Sequence, residues 1–347
     1  MAFREALARV VGGEDLSEAE MASGLEAVLR GEVGPAELAG FLVALRMKGE
    51  SAEELTAAAR VLRTHAVPIP DVPAGAIDTC GTGGDGAATL NVSTIAGLVV
   101  AAAGVPVAKH GNRAVSGKVG GADVLEALGV VLELDPVALS ACLRTVGFAF
   151  LYAPALHPAL RSVAAVRREL GVRTIFNLVA ALANPARVRR QVVGVPERRW
   201  VEPLAEVLRR LGVDRAWVVH GTGGIDELAL EGDSVVADVS GDTTRMATVA
   251  AADAGLRSAP LAALRVTSVA EAAGAARAVL AGEPGPARDI VCLNAAAALV
   301  VGGAAGDLRD AARLAATVID DGRAAALLDR VVAFTAAHAA PREASAR

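Results

Sequence analysis

Residues 81–86 read Gly-Thr-Gly-Gly-Asp-Gly, four glycines in six positions, between the apolar stretch Ala76-Ile77-Asp78-Thr79 and Asn91-Val92-Ser93-Thr94. A strand that passes through a glycine-rich loop into a helix start is one arm of a βα unit, so this part of the chain is committed to an α/β fold. Glycines let backbone amides approach a ligand closely, and the free amides of a helix start favour an anion. The loop suits phosphate or pyrophosphate. It is not a Walker loop, since no Gly-Lys-Ser/Thr follows, and it lacks GxGxxG spacing. Taken alone, the hexamer also fits a tight turn that binds nothing.

The flanking pattern extends the α/β reading. Residues 95–103 predict a helix and 105–108 a strand; 192–195 and 216–219 predict further buried strands around a helix over 200–211. Such alternation implies βα units about a mainly parallel sheet. Helices are expected to dominate from Val269, punctuated by Gly282, Gly302 and Gly322, with a fraying tail beyond Phe334. The first 66 residues differ. Ser17 and Ser51 each stand three residues before a Glu, the arrangement that caps a helix start, and Gly34-Pro35 opens another helix. Three or four short amphipathic helices bury little between themselves, so their apolar faces are expected to meet another domain or a second copy. Pro68, Pro70 and Pro73 mark a linker over 67–75. The expected domains are 1–70, helical, and 75–340, α/β, with part of 155–185 packing on the helices.

Two further segments carry polar groups at strand ends, where open α/β sheets form their ligand crevice. Residues 109–116 bring Lys109, His110, Asn112, Arg113 and Ser116 together, a set able to hold a phosphorylated sugar. Arg113 fits equally well as a surface ion-pair partner. Residues 220–227 read His-Gly-Thr-Gly-Gly-Ile-Asp-Glu. Adjacent carboxylates on such a loop suit magnesium, which takes one or two carboxylates plus substrate phosphates. Acids in the first turn of a helix are the competing explanation.

Composition removes other classes. A net charge of −5 with no long basic run argues against a nucleic-acid binder, and the 53% hydrophobic content excludes a disordered chain. Cys80, Cys142 and Cys292 are too scattered for a disulfide framework or structural zinc. The start lacks the apolar core of a signal peptide, and the run over 95–108, broken by Gly104 and Pro106, is too short for a membrane span. The chain is expected to be cytoplasmic, with no membrane partner.

The segments GTGGDG (81–86), NVST (91–94), KHGNRAVS (109–116), GGADVLEALGV (120–130), FLYAPALHPAL (150–160), AVRRELGVRTIFN (165–177), HGTGGIDE (220–227) and RDIVCLNAAAAL (288–299) together resemble the anthranilate phosphoribosyltransferases of tryptophan biosynthesis. Their order and spacing run through nearly the whole chain. The resemblance implies a small N-terminal helical domain plus a larger α/β domain with a mainly parallel sheet, nucleoside phosphorylase/phosphoribosyltransferase-like, in a homodimer joined through the helices. It implies transfer of the phosphoribosyl group of phosphoribosyl pyrophosphate to the amine of anthranilate, assisted by Mg2+. On this basis Gly81, Thr82, Gly83, Gly84, Asp85, Thr89, Asn91, Ser93, Thr94, Lys109 and Ser116 bind the donor. Ser93, Asp226 and Glu227 bind the metal. Gly81, His110, Asn112, Ala153 and Arg167 line the anthranilate site, and Lys109, His110 and Asn112 are the catalytic set, His110 orienting rather than acting as an obligatory base.

The chain departs from the family pattern in places. After Phe176-Asn177-Leu178 the family commonly reads Leu-Gly-Pro-Leu-Thr-Asn-Pro, whereas this chain has Val179-Ala180-Ala181-Leu182-Ala183-Asn184-Pro185. Ala180 replaces a glycine beside the acceptor, Gly117 and Val119 replace serine-type positions, and Gly223 stands where Asp is frequent. Two alternatives therefore stay open: the same fold with another aromatic acceptor, or a non-catalytic nucleic-acid-binding relative.

Overall fold

A computed structural model describes residues 3–114 and 119–339. The helical part comprises α1 (Phe3–Val11), α2 (Glu18–Leu29), α3 (Pro35–Lys48) and α4 (Ala52–His65). Both serine caps form: the Glu20 and Glu54 amides donate to Ser17 and Ser51, and the two carboxylates accept the serine amides in return. Glu54 does more than cap. Its carboxylate is fully buried and also accepts from Leu16 N at 3.0 Å and Lys48 Nζ at 2.9 Å, tying α4 to α3 and to the α1–α2 connection.

The α/β part follows as β1 (Ile77–Gly81), α5 (Val92–Ala102), β2 (Val107–Gly111), α6 (Gly121–Ala127), α7 (Pro136–Thr145), β3 (Phe148–Tyr152), α8 (Ala153–Leu156), α9 (Arg161–Leu170) and α10 (Ile175–Val179). It continues with β4 (Arg190–Gly194), α11 (Val201–Arg210), β5 (Arg215–His220), β6 (Ser234–Ser240) and β7 (Thr243–Val249). Four helices close the chain: α12 (Val269–Leu280), α13 (Pro286–Gly302), α14 (Leu308–Asp320) and α15 (Arg323–His338). Among the described residues the seven strands form one sheet in the order β3-β2-β1-β4-β5-β6-β7. The first five are parallel; β6 and β7 add an antiparallel hairpin. The sequence pattern signals neither β3 nor that hairpin, and the helix expected to fray beyond Phe334 runs on to His338.

One apolar cluster joins α5, α13 and the C-terminal helices to one side of the sheet. A second joins the four N-terminal helices to α9, α10 and α11 and to the opposite side of the sheet. The apolar faces of the N-terminal helices thus meet the α/β part of their own chain. Along the sheet, β1 leads outward to β2 and β3, while β4 and β5 lie on its other side. The order reverses between β1 and β4, and a crevice opens beyond the carboxyl ends of such a pair. No helix among the described residues is long and apolar enough to cross a membrane.

Candidate active site

The glycine-rich loop leaves β1 at this reversal. Gly83, Gly84 and Gly86 all have positive φ, between 65° and 73°, which only glycine adopts without strain. Thr82 N donates to Gly194 O at 2.9 Å, tying the loop to β4. Asp85 Oδ1 accepts Ala87 N, and the Ala88–Leu90 stretch, with Thr89 bridged to Arg265, is stitched to Leu264 and Val266. Asn91 begins α5, its Nδ2 reaching Val119 O at 3.3 Å.

The loop after β5 closes on this one. Gly221 bridges Ile225 through a turn with positive φ at Gly223 and Gly224, and Asp226 and Glu227 follow in non-helical chain. They are not first-turn acids of a helix. Asp226 Oδ2 accepts the Gly83 amide at 2.8 Å, and Glu227 Oε1 accepts the Ser93 amide at 3.0 Å. Both carboxyls are shifted upward, first by burial and then by neighbouring anions: Asp85 acts on Asp226, and Asp226 on Glu227. This adjacent, repelling pair calls for a cation. Among the described residues no cluster of three or more His, Cys, Asp or Glu forms a closed metal cage. Two adjacent carboxylates fit magnesium, which takes one or two of them and completes its shell with water and phosphate oxygens.

The sequence placed Lys109 and His110 after a strand; they lie inside β2 and are buried. The reason is the two-residue alternation of a strand, which sends successive side chains to opposite faces. Lys109 turns toward β1 and α5: Nζ donates to Thr79 O of β1 and, at 3.3 Å, to Ser93 Oγ of α5. His110 turns the other way, and its Nε2 stands 3.2 Å from His157 Nε2. Burial drives the two imidazoles down, His110 to about 3 and His157 to about 4, against hydrogen bonds to the backbones of Ala180 and Ala183. Both rings are neutral at physiological pH.

Arg167, on α9, lies over the Phe176 ring at 5.5 Å. Among the described residues it has no carboxylate partner, and burial lowers its pKa. A partly desolvated guanidinium of this kind suits a carboxylate ligand. Ala153 starts α8, and its carbonyl accepts His157 N at 2.9 Å. Asn112 is exposed, its Oδ1 accepting Arg113 N. Arg113 pairs with Asp123 and Glu126 at the surface and is an ion-pair partner. Ser116, Gly117 and Lys118 lie outside the described residues.

Two family models match: "Glycosyl transferase family, helical bundle domain" over residues 4–66 and "Glycosyl transferase family, a/b domain" over 74–325. The anthranilate phosphoribosyltransferase of Paramagnetospirillum magneticum is 51% identical over 333 residues, covering 96% of each chain. The chain belongs to the anthranilate phosphoribosyltransferase family. The relative from Chloroflexus aggregans is 49% identical over 96% of this chain and 99% of its own. A solved anthranilate phosphoribosyltransferase of Thermus thermophilus superposes with TM-score 0.91 at 44% identity, covering 95% of this chain and 99% of that one. The Saccharomyces cerevisiae enzyme in complex with PRPP and Mg shares the fold, with TM-score 0.88 at 23% identity over 96% of this chain and 98% of its own.

Within this phosphoribosyltransferase fold, two functional candidates escape the sequence reasoning. His157 lies within residues 150–160, and only its proximity to His110 gives it a role. Arg173, in 165–177, donates to Gly83 O and, at 3.4 Å, to Thr82 O and Oγ1. Its backbone carbonyl accepts Arg46 Nη1 from α3 at 2.6 Å, linking the helical part to the glycine-rich loop. A cation three residues before Phe176 was the available signal, but sequence distance from residues 81–86 concealed its target.

Proposed function

We propose that this chain transfers the phosphoribosyl group of phosphoribosyl pyrophosphate to the amine of anthranilate, giving N-(5-phosphoribosyl)anthranilate and pyrophosphate. The observation that carries this is the pairing of the Gly83 and Ser93 amides with the adjacent carboxylates of Asp226 and Glu227. These two bonds hold acids that attract a cation against a glycine-rich loop and a helix start, a setting that suits phosphate, as a magnesium-bound pyrophosphate requires.

The donor side consists of residues 81–85, Thr89, Asn91, Ser93 and Thr94, with Ser116 completing the phosphate contacts. Loop amides stabilise the charge that grows on pyrophosphate as the bond to the ribose carbon breaks. Lys109 holds Ser93 from beneath and adds its positive charge. Asp226, Glu227 and Ser93 would hold magnesium, which would supply further neutralisation of the leaving group. The acceptor side consists of Gly81, His110, Asn112, Ala153 and Arg167, joined by His157. Arg167 takes the anthranilate carboxylate, and the neutral imidazoles border the ring. An aromatic amine is neutral at pH 7, so positioning replaces strong base catalysis. His110, with its depressed pKa, orients.

We also propose a homodimer joined through the helical part. Val11 and Met47 are 69% and 82% exposed beside a groove formed by Val10, Gly40, Val43 and Ala44, an apolar strip suited to a second copy. Three buried free cysteines suit a reducing cytoplasm. Sedimentation at micromolar concentration tests the dimer.

The activity is tested by mixing the protein, phosphoribosyl pyrophosphate and magnesium with the three aminobenzoate isomers and following product by mass spectrometry. The ortho isomer should be consumed in step with pyrophosphate release. Turnover of a different aromatic amine, with anthranilate inert, would retain the donor side and point to Ala180, whose backbone His110 engages, as the altered element.

A further inference from the structure

Strands β1 and β2 are in register at a single position, Ile77 with Val107. By contrast β1 pairs with β4, and β2 with β3, through five consecutive positions each. Past the first pair, side chains serve main-chain groups that a ladder would otherwise satisfy. His110 N donates to Asp78 Oδ1 at 3.1 Å, Ala108 O accepts Asn184 Nδ2 at 2.8 Å, and Thr79 O accepts Lys109 Nζ.

Asp78 is at the centre of this parting and is wholly buried. Its Oδ2 accepts Asn184 Nδ2 at 2.8 Å and Gln191 Nε2 at 3.3 Å. Asn184 Oδ1 accepts Ala186 N at 2.8 Å, and Gln191 Nε2 also donates to Ala181 O at 2.7 Å. One carboxylate therefore grips the His110 backbone from one oxygen and the 181–186 turn from the other. The same turn, with Ala180, presents the backbone groups to which the His110 and His157 rings bond. Lys109 is the compensating charge. A carboxylate is acceptor-only, and three donors converge on this one. An amide in its place would set one NH2 against another. Burying a carboxylate is costly even when it is hydrogen-bonded, so its presence here points to a task other than stability.

We infer that Asp78, acting through His110 N and Asn184, is a positioning residue that fixes the two imidazoles and the 180–184 turn as one unit, so that its loss impairs the acceptor far more than the donor side, which it reaches only through the charge of Lys109. This rests on the assignment of the His110–Arg167 side to the acceptor. The glycine-rich loop and the 226–227 acids contact neither Asp78 nor Asn184 by hydrogen bond among the described residues.

The test uses the full chain with Asp78→Asn and Asn184→Ala. Three quantities are measured: the anthranilate KM, phosphoribosyl pyrophosphate affinity by calorimetry, and imidazole 15N resonances without substrate. Asp78→Asn should raise the anthranilate KM about tenfold or more and leave donor affinity within about twofold, as expected from losing hydrogen bonds on one side only. The His110 and His157 resonances should move while those of His65, His220 and His338 stay. Unmoved His110 and His157 resonances, or donor affinity falling as far as acceptor affinity, would overturn the inference. Should Asp78→Asn fail to fold, Asn184→Ala keeps the carboxylate and its His110 contact and carries the same readouts. If the unsubstituted protein ignores anthranilate, the acceptor assignment fails, and the imidazole resonances still decide whether Asp78 positions the pair.

Discussion

Gly194 and Asp226 are in direct backbone contact: a methyl group on Gly194 would overlap the Asp226 carbonyl and lie 3.0 Å from its Cα. Gly81, the registered partner of Gly194 across β1 and β4, is equally constrained, since its methyl would meet Asp226 Cγ at 2.8 Å. Two facing glycines at the strand reversal thus form the seat of the first acid. Gly194→Ala should push Asp226 outward, cost about 1–3 kcal/mol through overpacking and lower kcat about a hundredfold through misplacement of the site. Thermal melting and initial rates check this; near-normal kcat would contradict the seat.

The acid pair gives a stability prediction with a definite sign. Asp226 and Glu227 have raised pKa values in the folded chain, so the folded state binds more protons than the unfolded one above the ordinary carboxylate range. Their contribution to stability is present at low pH and is lost as pH rises through the folded values. Magnesium bound by the pair would oppose that loss, so its stabilising effect should be larger at pH 8 than at pH 5.5. Asp226→Asn with Glu227→Gln should melt higher than the parent at pH 8 without magnesium, and lose both turnover and the magnesium response. Calorimetric scans at the two pH values decide.

His110 and His157 act in the opposite direction. Their folded values, about 3 and about 4, lie below the ordinary 6.5, so below that pH the unfolded chain takes up the protons. Stability from the neutral pair is full above about pH 6.5 and falls as pH drops toward 4. His157→Gln should flatten part of this acid limb in urea titrations between pH 4 and 7. An unchanged limb would mean that the pair is not held neutral.

The two arginines of residues 165–177 should separate the substrates. Arg167→Ala is expected to raise the anthranilate KM about tenfold or more, the loss of one charge-assisted contact, and to change the donor KM little. Arg173→Ala removes the clamp on Thr82 and Gly83 and should do the reverse. Steady-state kinetics with each substrate varied in turn measures the split; a donor effect alone from Arg167→Ala would contradict the site map.

Much of this was legible in the chain because local rules and tertiary demands agree there. Ser17 and Ser51 cap where spacing says they should, Pro35 occupies the first turn of α3, and the glycines at 83, 84 and 86 take the positive φ that suits them. The strand Phe148–Tyr152 stayed hidden because it is buried throughout and shows no alternation. The edge strand Thr243–Val249 hid for the opposite reason, being exposed along nearly its whole length. Lys109 and His110 read as loop because polar residues at the carboxyl end of a strand resemble a turn, although both are buried. Asp78 carried no signal: sequence spacing does not distinguish a buried carboxylate from a solvated one, and its partners His110, Asn184 and Gln191 lie 32, 106 and 113 positions away.

The most direct measurement of the central claim is the loss of anthranilate fluorescence on mixing the purified protein with phosphoribosyl pyrophosphate, with and without magnesium. Magnesium-dependent loss at about 1 s⁻¹ or faster, within the ordinary range of enzyme turnover, is the predicted result. Unchanged fluorescence in the presence of magnesium, with donor binding still detected by calorimetry, would contradict anthranilate as the acceptor.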